Sequence, residues 1–178
     1  MGKRSNFKRS KGDYYITPES AVLPLFPYLP PVTLFFEPCA GDGALIRALH
    51  KHGHVPVGAM DIEPKEFGMK QGDALELSED DFNPHIPCEY IITNPPWTRA
   101  LMHPMIERFS ALRPTWLLFD ADWMHTKQAE PYLKYCHKIV SVGRVSWMGN
   151  GVSGKDNAAW YLFDKKAECK TQFIGRAA

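Results

Sequence analysis

The four cysteines, Cys39, Cys88, Cys136 and Cys169, lie far apart in a chain of 178 residues, and no two form a Cys-x-x-Cys pair. Without a secretion signal, that spacing argues against a disulfide framework. His85, Cys88, Cys136 and His137 are zinc-ligating residue types, but their spacing matches no common zinc site, so no metal is expected. Long apolar runs are also missing. The longest, from Ala21 to Phe36, is broken by Pro24, Pro27, Pro30 and Pro31 and is too short to span a bilayer. No apolar segment follows the N-terminus at signal-peptide distance. Met1-Gly2 lacks the Ser or Thr that myristoylation wants, because Asn6 stands there. These absences lead to the expectation of a cytoplasmic protein with no membrane partner. There is no internal repeat or low-complexity tract, and a content of 44% hydrophobic and 12% aromatic residues supplies the core of one domain.

Acidic residues are absent before Asp13, where Lys3, Arg4, Lys8, Arg9 and Lys11 stand. The net charge of +1 therefore hides an asymmetry: beyond this arm the chain carries 16 basic against 20 acidic residues. Residues 1–12 are expected to be a flexible basic arm and residues 13–178 a single catalytic domain. The arm suits sequence-independent contact with phosphates, and Phe7 and Tyr14 add rings that stack on bases. A solubilising terminus without a partner is the alternative. Lys155, in the polar stretch 148–157, is a weaker candidate for the same role. His50, His52 and His54 cluster where a helix should end, and a solvated helix terminus accounts for them.

Strand and helix patterns alternate along the chain. A helix is expected over 18–29, with Thr17 as its N-cap, then a strand at 33–38 and a helix at 42–52. Strands follow at 55–61 and 89–94, a helix at 98–112, a strand at 115–119, a helix through 129–133, and two strands at 138–146 and 158–164. A third, short strand ends near Gly72-Asp73-Ala74-Leu75. The last two strands, joined by a Gly- and Asn-rich connection, form an antiparallel pair. Such alternation predicts an α/β fold with ligands at the C-terminal ends of the strands.

Two features stand at those ends. The first is Glu37-Pro38-Cys39-Ala40-Gly41-Asp42-Gly43, a glycine turn between the first strand and a helix. Its glycines let backbone approach a ligand, and the helix start offers free N–H groups. Asp61 ends the second strand eighteen residues after Gly43, where nucleoside-binding sheets hold ribose hydroxyls. The second is Asn94-Pro95-Pro96-Trp97, directly after Tyr90-Ile91-Ile92-Thr93. Two prolines stiffen the turn and remove two N–H donors. The Asn94 oxygen and the Pro95 carbonyl can then accept both hydrogens of one planar NH2 group, while Trp97 supplies a flat surface for the ring bearing it. A base amine or a glutamine amide fits such a site. A plain proline-rich turn with a half-buried Trp is the bland alternative.

The segments DYYITPES at 13–20, FFEPCAGDG at 35–43, MDIEP at 60–64, GDAL at 72–75 and IITNPPW at 91–97 together resemble a known family. It is the S-adenosylmethionine-dependent DNA adenine-N6 methyltransferases, in a small phage-type form without a separate target-recognition domain. GRVSW at 143–147 and NAAWYLF at 157–163 resemble the last hairpin of such members. The resemblance implies a Rossmann-like class I methyltransferase fold: a mostly parallel seven-stranded sheet with a terminal antiparallel hairpin and helices on both faces. It implies S-adenosyl-L-methionine as cofactor, with Thr17 and Pro18 against its methionine end, Glu37, Pro38, Cys39, Ala40, Gly41, Asp42 and Gly43 lining it, Asp61 at its ribose, Asp73 at its adenine, and Ile62 and Ala74 also among its contacts. Asn94, Pro95, Pro96 and Trp97 would form the catalytic pocket, with Asn94 also bordering the cofactor. DNA is the implied partner, with RNA adenine or a protein glutamine amide as alternative acceptors, and an inactive binding module of the same fold as another reading. With no residues left for a recognition domain, target choice is expected to be loose.

Overall fold

The computed structural model describes residues 15–147, 152, 154–168 and 170–176. Its centre is a sheet of eight strands: β1 (Leu34–Glu37), β2 (Val55–Asp61), β3 (Lys70–Gln71), β4 (Tyr90–Thr93), β5 (Thr115–Asp120), β6 (Cys136–Arg144), β7 (Asn157–Phe163) and β8 (Gln172–Ile174). Their order is β3-β2-β1-β4-β5-β7-β6-β8. β1 to β5 run parallel to one another, and β7 is antiparallel to both β5 and β6. The seven expected strands are present. The eighth, β8, adds a parallel edge beside β6, pairing Ile139 with Phe173. Three residues following a polar stretch carry no alternation of their own, so only the pairing partner makes them a strand.

Side chains alternate across the sheet with the period of two that strands impose. Phe35, Ile92, Trp116, Leu118 and Trp160 point to one core, and Phe36, Ile91, Leu117, Phe119 and Tyr161 to the other. Two helical elements cover the first face: α1 (Glu19–Val22) with the 3₁₀ segment Leu23–Tyr28, and α2 (Ala44–Lys51), through Ala21, Val22, Leu25, Leu45 and Leu49. The second face is covered by α3 (Arg99–Leu112), through Met102, Met105, Ile106 and Phe109, with Trp123 beside them. The short α4 (Glu130–Leu133) has Pro131 in its first turn, where a missing N–H costs nothing, so the proline opens that helix rather than interrupting it.

The first helix differs from expectation. Its α-helical part is four residues, capped at Pro18 with no side-chain cap bond, and continues as 3₁₀. Pro24 and Pro27 remove the N–H donors that i→i−4 bonding would need there. Thr17 is therefore not the N-cap. The histidine cluster is split as well. His52 bonds Glu19 at 2.9 Å on the surface, but His54 is buried, stacked on Phe26, with Nδ1 lacking a partner among the described residues. A uniformly solvated helix end is corrected at His54. Among the described residues no helix is long and apolar enough to cross a membrane.

Candidate active site

β1, β2 and β4 lie side by side and parallel, so Glu37, Asp61 and Asn94 come together at one end of the sheet. The chain after Glu37 turns sharply. Gly41 and Gly43 take φ of 55° and 72°, the left-handed region that side chains disfavour. The turn is closed by Gly43 N–H donating to the Ala40 carbonyl at 2.7 Å, and Ala40 N–H donates to Met60 on β2. Pro38, Ala40 and Gly41 are buried. A Cβ on Gly43 would stand 2.9 Å from Met69 Cε, because the loop after β2 folds over the turn. Lys65 N–H donates to the Gly41 carbonyl at 3.1 Å, which closes that loop down.

The acids divide the work. Asp61 accepts Gly41 N–H at 2.7 Å and Glu63 N–H at 2.8 Å. Asp42 accepts Ala44 N–H at 3.1 Å at the start of α2 and pairs with Arg47 at 3.1 Å. Asp73, exposed after β3, accepts Leu75 N–H at 2.8 Å. The side chain of Ala74 is buried in the α3-side core, whereas Ile62 is 65% exposed beside Asp61. Glu37 is different. It is 2% exposed, and its Oε2 is buried without a hydrogen-bond partner among the described residues. Burial, then the charges of Asp61 and Asp42, push its carboxyl well above the usual range, while the Ile46 amide pulls the other way. Burial also pushes the neighbouring Cys39 thiol up, with Glu37 next among the causes.

A buried acid with one oxygen unpartnered among the described residues, beside two further carboxylates and a left-handed glycine turn, suits a ligand that brings positive charge. The amino-acid end of a sulfonium nucleoside fits that demand, and Asp61 with the exposed Ile62 fits its nucleoside end.

Asn94 follows β4 directly. Its Nδ2 donates to Thr17 Oγ1 at 3.1 Å, and its Oδ1 accepts the Trp97 indole N–H at 3.2 Å. The same indole N–H also reaches the Leu118 carbonyl on β5 at 3.2 Å. Thr17 and Pro95 are buried, Pro96 half-buried, and the Trp97 ring packs against both cores. Trp147, just beyond β6, meets Trp97 edge-on at 5.5 Å and Tyr15 at 6.5 Å.

Of the residues expected at a site, those from Thr17 to Asn94 are brought to this end of the sheet. Lys155 is exposed in the β6–β7 connection. Lys3, Arg4, Lys8, Arg9 and Lys11 lie outside the described residues. Sequence reading missed Arg47, Met69 and Trp147 as parts of the site. Trp147 had a signal, since it ends GRVSW; Arg47 and Met69 had none, because only the folded loop brings them to the turn.

No protein-family model and no curated protein sequence matches the chain. Solved structures do. A proposed RNA methyltransferase from Pyrococcus horikoshii superposes with a TM-score of 0.63 at 12% identity, over 94% of this chain and 93% of that one. A modification subunit of a proposed type I restriction enzyme from Vibrio vulnificus gives 0.60 at 13%, over 93% of this chain and 47% of its own. A dimethyladenosine transferase from Plasmodium falciparum gives 0.55 at 14%, over 86% and 63%. The chain thus spans nearly the whole of the first protein and about half of the second. This is the class I methyltransferase fold. Its strand order, the two-sided helical cover and the terminal antiparallel pair are those of the sheet described above.

Proposed function

We propose that this chain transfers a methyl group from S-adenosylmethionine to the exocyclic amino group of adenine in DNA. The observation that carries the reading is the Asn94 amide, held at the end of β4 between Thr17 and Trp97, in the same row of strand ends as the acid-lined glycine turn. Structures of the same fold include a dimethyladenosine transferase and a restriction-enzyme modification subunit, which supports an amino-group acceptor on nucleic acid.

The bound cofactor supplies a methyl group on a sulfonium, electrophilic without a metal. The Glu37 carboxylate would receive the cofactor's ammonium, Asp61 the ribose hydroxyls, and Asp73 the adenine. What remains is the weak nucleophilicity of the amine, whose lone pair is spread into the purine. The Asn94 oxygen has a second lone pair beyond the one given to Trp97. With the Pro95 carbonyl it accepts the two N–H bonds, draws the nitrogen toward pyramidal geometry and turns its lone pair out of the ring plane. That is electrostatic preorganisation joined to positioning. Asn94 is neutral and takes no proton, so the proton passes to water after the N–C bond has formed. In duplex DNA the base leaves the stack to reach the pocket. Lys155 and the basic residues between Lys3 and Lys11 would contact phosphates without reading sequence.

The test is labelled S-adenosylmethionine incubated with DNA, RNA and protein, each then hydrolysed. N6-methyladenine from DNA supports the reading. Label in RNA adenine or a glutamine amide would reassign the acceptor, and no transfer to any of the three would leave a binding module.

A further inference from the structure

We infer that Trp97 is a positioning residue, whose indole N–H fixes which way the Asn94 amide faces; the inference rests on the proposed amino-group chemistry. An asparagine amide has two nearly isosteric ends, and only one of them accepts hydrogen bonds. If it turned over, Nδ2 would meet an incoming NH2 group donor to donor, and the site would repel the amine that it must polarise. Two contacts prevent this. The indole N–H can only donate, so the atom it faces at 3.2 Å must be Oδ1. Nδ2 is then directed to Thr17 Oγ1 at 3.1 Å, a residue 77 positions earlier in the chain.

The ring is itself held. Its N–H also reaches the Leu118 carbonyl on β5 at 3.2 Å, Trp147 lies edge-on at 5.5 Å, and it packs against both hydrophobic cores. A ring needed only as a stacking platform would not have to aim its nitrogen. Here the nitrogen is shared between the catalytic amide and the backbone of the neighbouring strand. Phenylalanine or tyrosine would offer the flat face but no N–H at that place.

The experiment compares Trp97→Phe with the wild type on DNA, alone and in an Asn94→Asp background. A carboxylate has two equivalent oxygens and needs no orienting. Trp97→Phe should lower kcat by about 10–100-fold, below the full loss of a transition-state partner, while the KM for DNA shifts less than about threefold. In the Asn94→Asp background the same change should cost less than about twofold in kcat, as coupling between contacting residues requires. A wild-type kcat in Trp97→Phe, or an equal penalty in both backgrounds, would overturn the inference. A second readout needs no activity. The indole cross-peak absent from Trp97→Phe identifies Trp97 in the nitrogen–proton spectrum; it should move in Asn94→Ala, and the Asn94 side-chain amide peaks should move in Trp97→Phe. An indole peak unmoved by Asn94→Ala would also overturn it. A wild type that transfers no methyl group would sink the proposed reaction while leaving this spectroscopic result to stand or fall separately.

Discussion

Asp61 and Gly41 are joined by a 2.7 Å bond from the glycine's N–H to the carboxylate Oδ2. The end of β2 thereby holds the turn after β1 in its left-handed course, with the other carboxylate oxygen accepting Glu63 N–H at 2.8 Å. The acid expected to meet a ribose also organises the backbone expected to meet the rest of the ligand. Asp61→Ala should therefore do two things. It should weaken S-adenosylmethionine binding by calorimetry, and it should lower unfolding stability by about 1 kcal/mol, the scale of a lost hydrogen bond to the part-buried Gly41 N–H. A change in affinity with an unmoved denaturation midpoint would show that the turn does not depend on Asp61.

Glu37 gives a pH prediction. Its carboxyl is raised in the folded chain, above the ordinary 4.5, chiefly by burial. The stability it contributes is present in full below 4.5 and is lost as pH rises through the folded value. Glu37→Gln should then match the wild type near pH 4 and exceed it by about 1–3 kcal/mol at alkaline pH, because no charge has to be buried. The same change should abolish the pH dependence of cofactor affinity. In the wild type that affinity should rise with pH as the carboxylate forms, with a proton released on binding.

Asn94→Ala should leave cofactor affinity within about twofold of normal and cut turnover by about 10²–10³-fold, the scale of one missing transition-state partner. Excess DNA should not rescue it. Wild-type turnover at saturating DNA and cofactor would remove this tetrapeptide from the chemistry.

His54 is buried on Phe26, its Nδ1 unpartnered among the described residues, and burial, then His52, holds its pKa below the ordinary 6.5. Its contribution to stability is present above 6.5 and is lost as pH falls, since the unfolded chain takes up the proton first. Thermal unfolding followed from pH 7.5 to 5 should show this loss, and His54→Phe should flatten it.

Deleting residues 3–11 should weaken DNA binding uniformly across sequences. It should also reduce the slope of log K against log salt by about 0.9 for each phosphate that the arm no longer neutralises. Titrations at several salt concentrations measure it. An unchanged slope would leave the arm without a role in DNA binding.

The fold is legible in the sequence because its signals are local. Short continuous apolar runs mark Phe35 and Phe36, Ile91 and Ile92, and Trp116 to Phe119 as strands buried on both sides, and the two cores take their side chains from opposite faces. The glycine turn and the Asn-Pro-Pro-Trp turn announce themselves by residues whose backbone freedom or stiffness holds in any context. A parallel α/β sheet then puts both at the strands' C-terminal ends. β2 is legible at its full extent, since seven residues between a histidine-rich helix end and an acidic loop have clear borders.

What the tertiary structure decided is whatever depends on a distant neighbour. Thr17 reads as a helix cap, because Thr-Pro-Glu is a helix-start pattern, yet its hydroxyl is taken by Asn94, which the sheet brings to it. Trp97 reads as a flat ring, but the direction of its N–H depends on Leu118 from another strand. The unpaired oxygen of Glu37 and the buried ring of His54 are invisible along the chain, because burial belongs to what packs around a residue and not to the residue. Local sequence determines backbone periodicity through interactions a few residues long. The aim of a side chain and the state of its proton are settled only when segments tens of residues apart close around it and exclude water.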